Sequence, residues 1–252
     1  MTGRLDGRVA LVTGGGVGIG RGIALALADE GATVAVTHRT HTPDEELLER
    51  IGHAPDGSPL AFSLEATNED EVARTIQAVV DATGSLEVLV NNVGGLIGRC
   101  DIGEFDLAMW REVFAVNVET TFLFTKHALP LLSDGGHIVN VSSVAGRNGG
   151  SRGVGAYAAA KAALFAFTRA TAKEAAPRSI TANAVAPGLI LDTPFHETFT
   201  PEADQRAIIA GIPLGRPGYP ADVAGAVTWL VSQESSYVTG TIIDVNGGQY
   251  FA

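Results

Sequence analysis

The sequence predicts a doubly wound α/β fold, a parallel sheet covered on both faces by helices. Three observations carry that prediction. Short apolar runs of strand length alternate along the chain with longer segments whose apolar residues recur at helical spacing. A glycine cluster, TGGGVGIG at 13–20, lies between the first such strand and the first such helix. With 46% hydrophobic residues in 252, and no linker or low-complexity tract, the chain holds material for one continuous core.

Taken in order, RVALVT (8–13) reads as a buried strand and GIGRGIALALAD (18–29) as a helix stopped by Gly31. GATVAVTH (31–38) and SPLAFSLE (58–65) read as strands. NEDEVARTIQAVVDATG (68–84) is a helix with acidic residues in its first turn, and LEVLVNN (86–92) the next strand. A helix is expected around 105–132, a strand at GGHIVNVSS (135–143), and an alanine-dense helix at 155–177. SITANAVAP (179–187) is a strand, 201–211 and 219–233 are helical, and GTIIDVNGG (240–248) is the last strand. The stretch 188–220, rich in Pro, Gly and Phe, is the least regular; it is either a substrate-covering segment or a long surface connection. The whole of 1–252 is expected to form one domain.

The formal charge of −11 argues against a nucleic-acid partner, because a polyanion is repelled by an acidic surface that carries no basic run. Cys100, the single cysteine, has no internal disulfide partner, which fits a reducing compartment. The first apolar run, VALV, is too short for a signal segment or membrane span, so a cytoplasmic protein with no membrane contact is expected. His196 stands without a second ligand nearby in sequence, and no metal site is expected.

Gly14, Gly18 and Gly20, with Ile19 between the last two, mark a turn where a pyrophosphate approaches the backbone at a helix N-terminus. Thr13 is placed to fix that turn. The second strand should reach the adenosine ribose, where a carboxylate favours NAD(H) and an arginine accommodates a 2′-phosphate. His38 and Arg39 stand there, so NADP(H) is favoured, with NAD(H) kept open by the nearby Asp44, Glu45 and Glu46.

Three further motifs, NNVGG (91–95), VNVSSVAG (139–146) and YAAAK (157–161), occur in order after the glycine turn. Together they make the whole chain resemble the short-chain dehydrogenase/reductase family, and most closely its 3-oxoacyl-carrier-protein reductase-like branch. The resemblance implies a single Rossmann-type domain of about seven parallel strands. It also implies reversible hydride transfer between a nicotinamide and a ketone/secondary-alcohol pair, in a homotetramer, with a dimer as the alternative. A carbonyl reductase is favoured over an NAD-dependent alcohol, sugar or polyol dehydrogenase, and over a non-catalytic dinucleotide-binding scaffold.

The chemistry is also readable from the residues. Tyr157 and Lys161 are four apart on a predicted helix and share a face. An ammonium nearby favours the phenolate, giving an acid for ketone reduction and a base for alcohol oxidation. Ser143, at a strand end, is placed to bond the substrate oxygen, with Ser142 as its rival because adjacent strand residues face opposite ways. The resemblance selects Ser143, although it stands fourteen residues before Tyr157, one more than is usual in the family. It also gives Lys161 the nicotinamide ribose, and Asn117 a water linking Lys161 to solvent. Asn117 alone equally fits a backbone bridge within a helix or bend.

Asn91 and Gly94 are expected to line the cofactor cleft, and Glu65 to stand near adenine. APGLILDT resembles the family's PGxxxT segment, with Pro187, Gly188 and Ile190 as lining residues and Thr193 one position late, after Asp192. Leu96, Val144, Phe195 and Phe199 are candidates for an apolar substrate wall, beside Ser143 and Tyr157.

Overall fold

A computed structural model describes residues 3–251, so residues 1, 2 and 252 of the expected domain lie outside the described part. Seven strands form one parallel sheet: β1 (Val9–Val12), β2 (Thr33–His38), β3 (Ala61–Ser63), β4 (Val88–Asn91), β5 (His137–Val141), β6 (Thr181–Pro187) and β7 (Ile242–Val245). Their order across the sheet is β3-β2-β1-β4-β5-β6-β7, and every neighbouring pair is parallel. β1, β4, β5 and β6 are buried on both faces, which is why they read as unbroken apolar runs rather than alternating ones.

The helices are α1 (Gly18–Asp29), α2 (Glu45–Arg50), α3 (Glu69–Thr83), α4 (Leu107–Phe114), α5 (Thr120–Ala128), α6 (Ala145–Asn148), α7 (Gly155–Ala175), α8 (Pro194–Phe199), α9 (Glu202–Ala210) and α10 (Pro220–Leu230). One face of the sheet packs on α1 and α10, through Ile23, Leu27, Val223 and Val227. The other packs on α3, α5 and α7, through Ile76, Val79, Phe124 and Ala172. No helix among the described residues is long and apolar enough to cross a membrane.

Three regions differ from the sequence prediction. The single helix expected around 105–132 is α4 and α5 joined by a π-turn at Ala115–Glu119. The short helices α2 and α6 are additional, α2 starting where the Asp44 side chain accepts from the Leu47 N–H. The irregular stretch 188–220 contains α8 besides the expected helix, α9; α8 begins at a proline, whose fixed φ and missing N–H suit a first helical turn.

Candidate active site

The strand order reverses between β1 and β4, and an open α/β sheet carries its ligand crevice where the C-terminal ends of such strands diverge. A cleft of about 1060 Å³ lies there. Its floor is the glycine turn. The Thr13 hydroxyl oxygen accepts from the backbone N–H of Asn92 (2.9 Å) and Val93 (3.1 Å), while the Asn92 amide donates to the carbonyls of Thr13 (3.0 Å) and Gly14 (3.1 Å). Thr37 at the end of β2 accepts from the Gly14 N–H at 3.1 Å. A Cβ on Gly20 would collide with the Gly14 carbonyl oxygen, so only glycine lets α1 start this close to the turn. The residue preceding α1, Val17, offers no side-chain cap, which leaves the first-turn N–H groups facing the cleft for a negative ligand.

Thr13 and Asn91 themselves do not line the cleft. Asn91 faces away from it and donates to Thr125 (3.0 Å) and Asn140 (2.9 Å), because strand residues alternate and it is Asn92 that turns toward the glycines. At the far end of the cleft His38, Arg39, His41 and Glu65 come together. Arg39 and Glu65, each assigned a separate contact by the sequence, are instead bonded to one another at 2.6 Å. Partial burial would raise the Glu65 carboxyl, but hydrogen bonds from Arg39 and Thr67 outweigh it and hold the group below the usual range. Asp44 and Glu46 do not oppose a phosphate there, since both pair with Arg21.

At the other end of the same cleft stand Ser143, Tyr157 and Lys161. The Ser142 hydroxyl donates to the Lys161 carbonyl (2.7 Å) and so ties β5 to α7; both serines line the cleft, and Ser143 is the one hydrogen-bonded to the Tyr157 phenol. Burial pushes the Tyr157 phenol up to about 12, with the Ser143 hydroxyl pulling the other way. Lys161 is 3% exposed, donates to the Val141 carbonyl at 3.0 Å, and is pushed down by burial to about 8. The expected lowering of the phenol by the ammonium is therefore not what the site shows. The lysine nitrogen lies 5.7 Å from the ring centroid, and desolvation dominates both groups.

Asn117 is fully buried one layer behind the cleft, on the π-turn. Its Oδ1 accepts from the Gly95 N–H (3.0 Å), and its Nδ2 donates to the carbonyls of Gly95 (2.8 Å) and Val113 (2.9 Å). The backbone bridge left open by the sequence is thus formed. A Cβ on Gly94 would lie 2.6 Å from Asn117 Oδ1 and 2.8 Å from Lys161 Nζ, so the glycine is what lets these two groups face the same spot.

A family model described as "Enoyl-(Acyl carrier protein) reductase" matches residues 15–249. The 3-oxoacyl-[acyl-carrier-protein] reductase FabG of Thermotoga maritima is 39% identical over 251 residues, covering 97% of this chain and 98% of that protein. The chain belongs to the short-chain dehydrogenase/reductase family. A short-chain dehydrogenase/reductase from Serratia marcescens superposes with a TM-score of 0.87 at 29% identity, covering 98% of this chain and 99% of that one. A blue fluorescent protein from a metagenomic library, solved in complex with NADPH, gives 0.87 at 31%, covering 98% and 100%. The glucose and ribitol dehydrogenase of Daucus carota is 34% identical, over 97% of this chain and 86% of that protein.

Within this short-chain dehydrogenase/reductase, Leu96, Val144 and Phe195 line the cleft, together with Pro187, Gly188, Ile190 and Thr193. Thr193 rather than Asp192 faces inward: its hydroxyl donates to the Ile190 carbonyl (2.9 Å), and Asp192 is exposed at φ 57°. Phe199 does not line the cleft; its ring packs behind Phe195 with centroids 5.7 Å apart. His196 bonds Thr200 at 2.9 Å, and no group of three metal-ligating side chains occurs among the described residues. Asn92, Thr37 and Arg99 are among the cleft residues the sequence reading missed. Asn92 and Thr37 had a signal, since each lies at the C-terminal end of a strand beside the glycine turn.

Proposed function

We propose that the chain transfers hydride between NADP(H) and a ketone/secondary-alcohol pair, acting as a carbonyl reductase on a 3-oxoacyl or other small ketone. The observation that carries this reading is that Ser143, Tyr157 and Lys161 meet at one end of the cleft whose other end holds the glycine turn, His38 and Arg39. The residues fit a dinucleotide, because the uncapped start of α1 and the Gly14–Gly20 contact leave a cradle for a pyrophosphate. The nicotinamide supplies the hydride when bound.

The chain's own groups do the rest. The Ser143 hydroxyl donates to the substrate oxygen, and the Tyr157 phenol, protonated at neutral pH, delivers its proton to that oxygen as negative charge develops. Lys161 binds the ribose and, while charged, stabilises the phenolate left behind. Asn117 is a positioning residue that fixes Gly95 and a water connecting Lys161 to solvent. We read residues 1–252 as one catalytic unit, with 188–220 covering the substrate.

A pH profile tests the role of Lys161. Its proton is present below about 8 and lost above, so kcat/KM for ketone reduction should hold steady up to that pH and then fall. A profile that climbs through pH 8 would remove the ammonium from the reaction.

NADP(H) is favoured by Arg39 and by the absence of a carboxylate at His38. The Glu65 pairing gives NAD(H) its support, as does the glucose and ribitol dehydrogenase relative, so an NAD-dependent sugar, polyol or secondary-alcohol dehydrogenase is the second reading. Arg39→Ala should weaken NADPH roughly tenfold to a hundredfold while NADH changes less than about threefold. Glu65→Gln should tighten NADPH by freeing Arg39. Equal effects on the two dinucleotides in fluorescence titrations would remove the case for a 2′-phosphate.

The reading as a whole is tested by oxidation of NADPH and NADH against 3-oxoacyl thioesters, β-keto esters, diketones and keto sugars, with the alcohols alongside. Dinucleotide binding with no turnover of any of these would favour the scaffold reading. We place the protein in the cytoplasm as a homotetramer, with a dimer as the alternative. Exposed Leu107 and Trp110 on α4, and the half-exposed Phe122–Phe167 pair of α5 and α7, support an interface on that side.

A further inference from the structure

Three arginines line the cleft: Arg39, Arg99 and Arg152. Arg39 is neutralised by Glu65 and Arg152 by Asp101. Arg99 has no carboxylate partner among the described residues; all its bonds go to neutral oxygens. Its Nε and Nη2 donate to the Phe199 carbonyl (3.2 and 3.1 Å), and its Nη1 to the Ser151 hydroxyl (2.9 Å) and the Arg152 carbonyl (3.1 Å). These bonds fix the plane of the guanidinium but leave one Nη2 proton and the full charge available.

The surroundings do not cancel that charge. Asp101 is taken up by Arg152, and Asp204 lies exposed on the α9 side of the cleft without pairing to Arg99. His196 is held neutral, pushed down to about 4 by burial and then by Arg99 itself. The position relative to the reacting groups is also defined. Phe195 lies 5.6 Å from the Tyr157 ring, and the Phe199 carbonyl that Arg99 holds is four residues further along α8, so this stretch of α8 separates the phenol from the guanidinium.

We propose that Arg99 receives the anionic end, a carboxylate or a phosphate, of a carbonyl substrate whose reacting carbon sits at Ser143 and Tyr157. This rests on the reduction reading above and narrows it to ketones whose anion is several bonds from the carbonyl, not 2-oxo acids. A ligand oxygen takes the free Nη2 proton, and a second oxygen replaces the Phe199 carbonyl as acceptor.

The binding test uses the NADPH-loaded protein with adipate and dimethyl adipate as probes in titration calorimetry. Adipate should bind saturably, at least about tenfold more weakly in Arg99→Gln, with most affinity kept in Arg99→Lys. Absence of saturable adipate binding, or equal affinity in Arg99→Gln, would overturn the proposal. In turnover, 5-oxohexanoate is set beside its methyl ester, and a 5-oxoalkyl phosphate beside its alcohol, to separate carboxylate from phosphate. Arg99→Gln should cut the anion-to-neutral preference in kcat/KM at least about tenfold for one of the pairs. Equal losses on anionic and neutral partners would reduce Arg99 to a clip on α8 and overturn it. Adipate binding through Arg99 without reduction of any ketone would leave the anion site standing and fail the reduction reading.

Discussion

Tyr157→Phe should lower ketone reduction by roughly 10²–10⁴ while leaving NADPH affinity within about twofold. The substitution removes the transferable proton and keeps the ring, which packs 5.6 Å from Phe195 and under the lysine nitrogen at 5.7 Å. Burial pushes this phenol up to about 12, so at neutral pH it is a proton donor held in reserve. The Ser143 hydroxyl can polarise the substrate oxygen but is far too weak an acid to replace it. Single-turnover reduction by the NADPH-loaded variant measures the effect without product release. A rate within tenfold of the unsubstituted protein would take the proton-donor role away from Tyr157.

Gly94→Ala should cost about a hundredfold in kcat, an effect much larger than one methyl group suggests. The added carbon would lie 2.6 Å from Asn117 Oδ1 and 2.8 Å from Lys161 Nζ. One of the two must move, and both are tied: Asn117 to the backbone of Gly95 and Val113, Lys161 to the Val141 carbonyl. Gly94 has no left-handed φ, so alanine meets no backbone strain and the effect is confined to the methyl. The adjacent Gly95 is the control, since a Cβ there meets nothing within 4 Å. Gly95→Ala should keep kcat within about threefold. Similar losses at both positions, or none at Gly94, would show that the Asn117–Lys161 arrangement does not govern the reaction.

Most of the framework was legible in the sequence because the strands of a parallel sheet announce themselves as short apolar runs, and helices as amphipathic ones. GIGRGIALALAD coincides residue for residue with α1, and all seven strands fall within the predicted segments. The misses have physical causes. Short helices such as α2 and α8 carry too few turns for a periodicity to register, and only their starting residues, Asp44 and Pro194, signal them. The sequence places Asn91 in the cleft, but in a pair of identical residues nothing in the sequence shows which one the pleat turns inward, and here it is Asn92. Arg39 and Glu65 could each be placed near the adenosine from position in the chain, but their bond joins residues 26 apart and has no local pattern. Arg99 was invisible for the same reason, its partners lying 52, 53 and 100 residues away.

The π-turn between α4 and α5 bears on how that part of the chain is phased. Val113, Asn117, Thr121 and Thr125 are spaced by four, and all four are buried. On a regular α-helix a spacing of four overshoots each turn by about 40°, so the last of them would have swung well away from the face of the first. The wide turn takes up the surplus and resets the rotation, keeping one inward line from Val113 to Thr125, where Asn91 is met from β4. Asn117 is therefore both the residue that reaches toward Lys161 and part of the turn that corrects the pitch. Removing one residue within 115–119 would close the wide turn into a regular one, with Thr121 and Thr125 still on the face of Val113 and Asn117 displaced from its place beside Gly95.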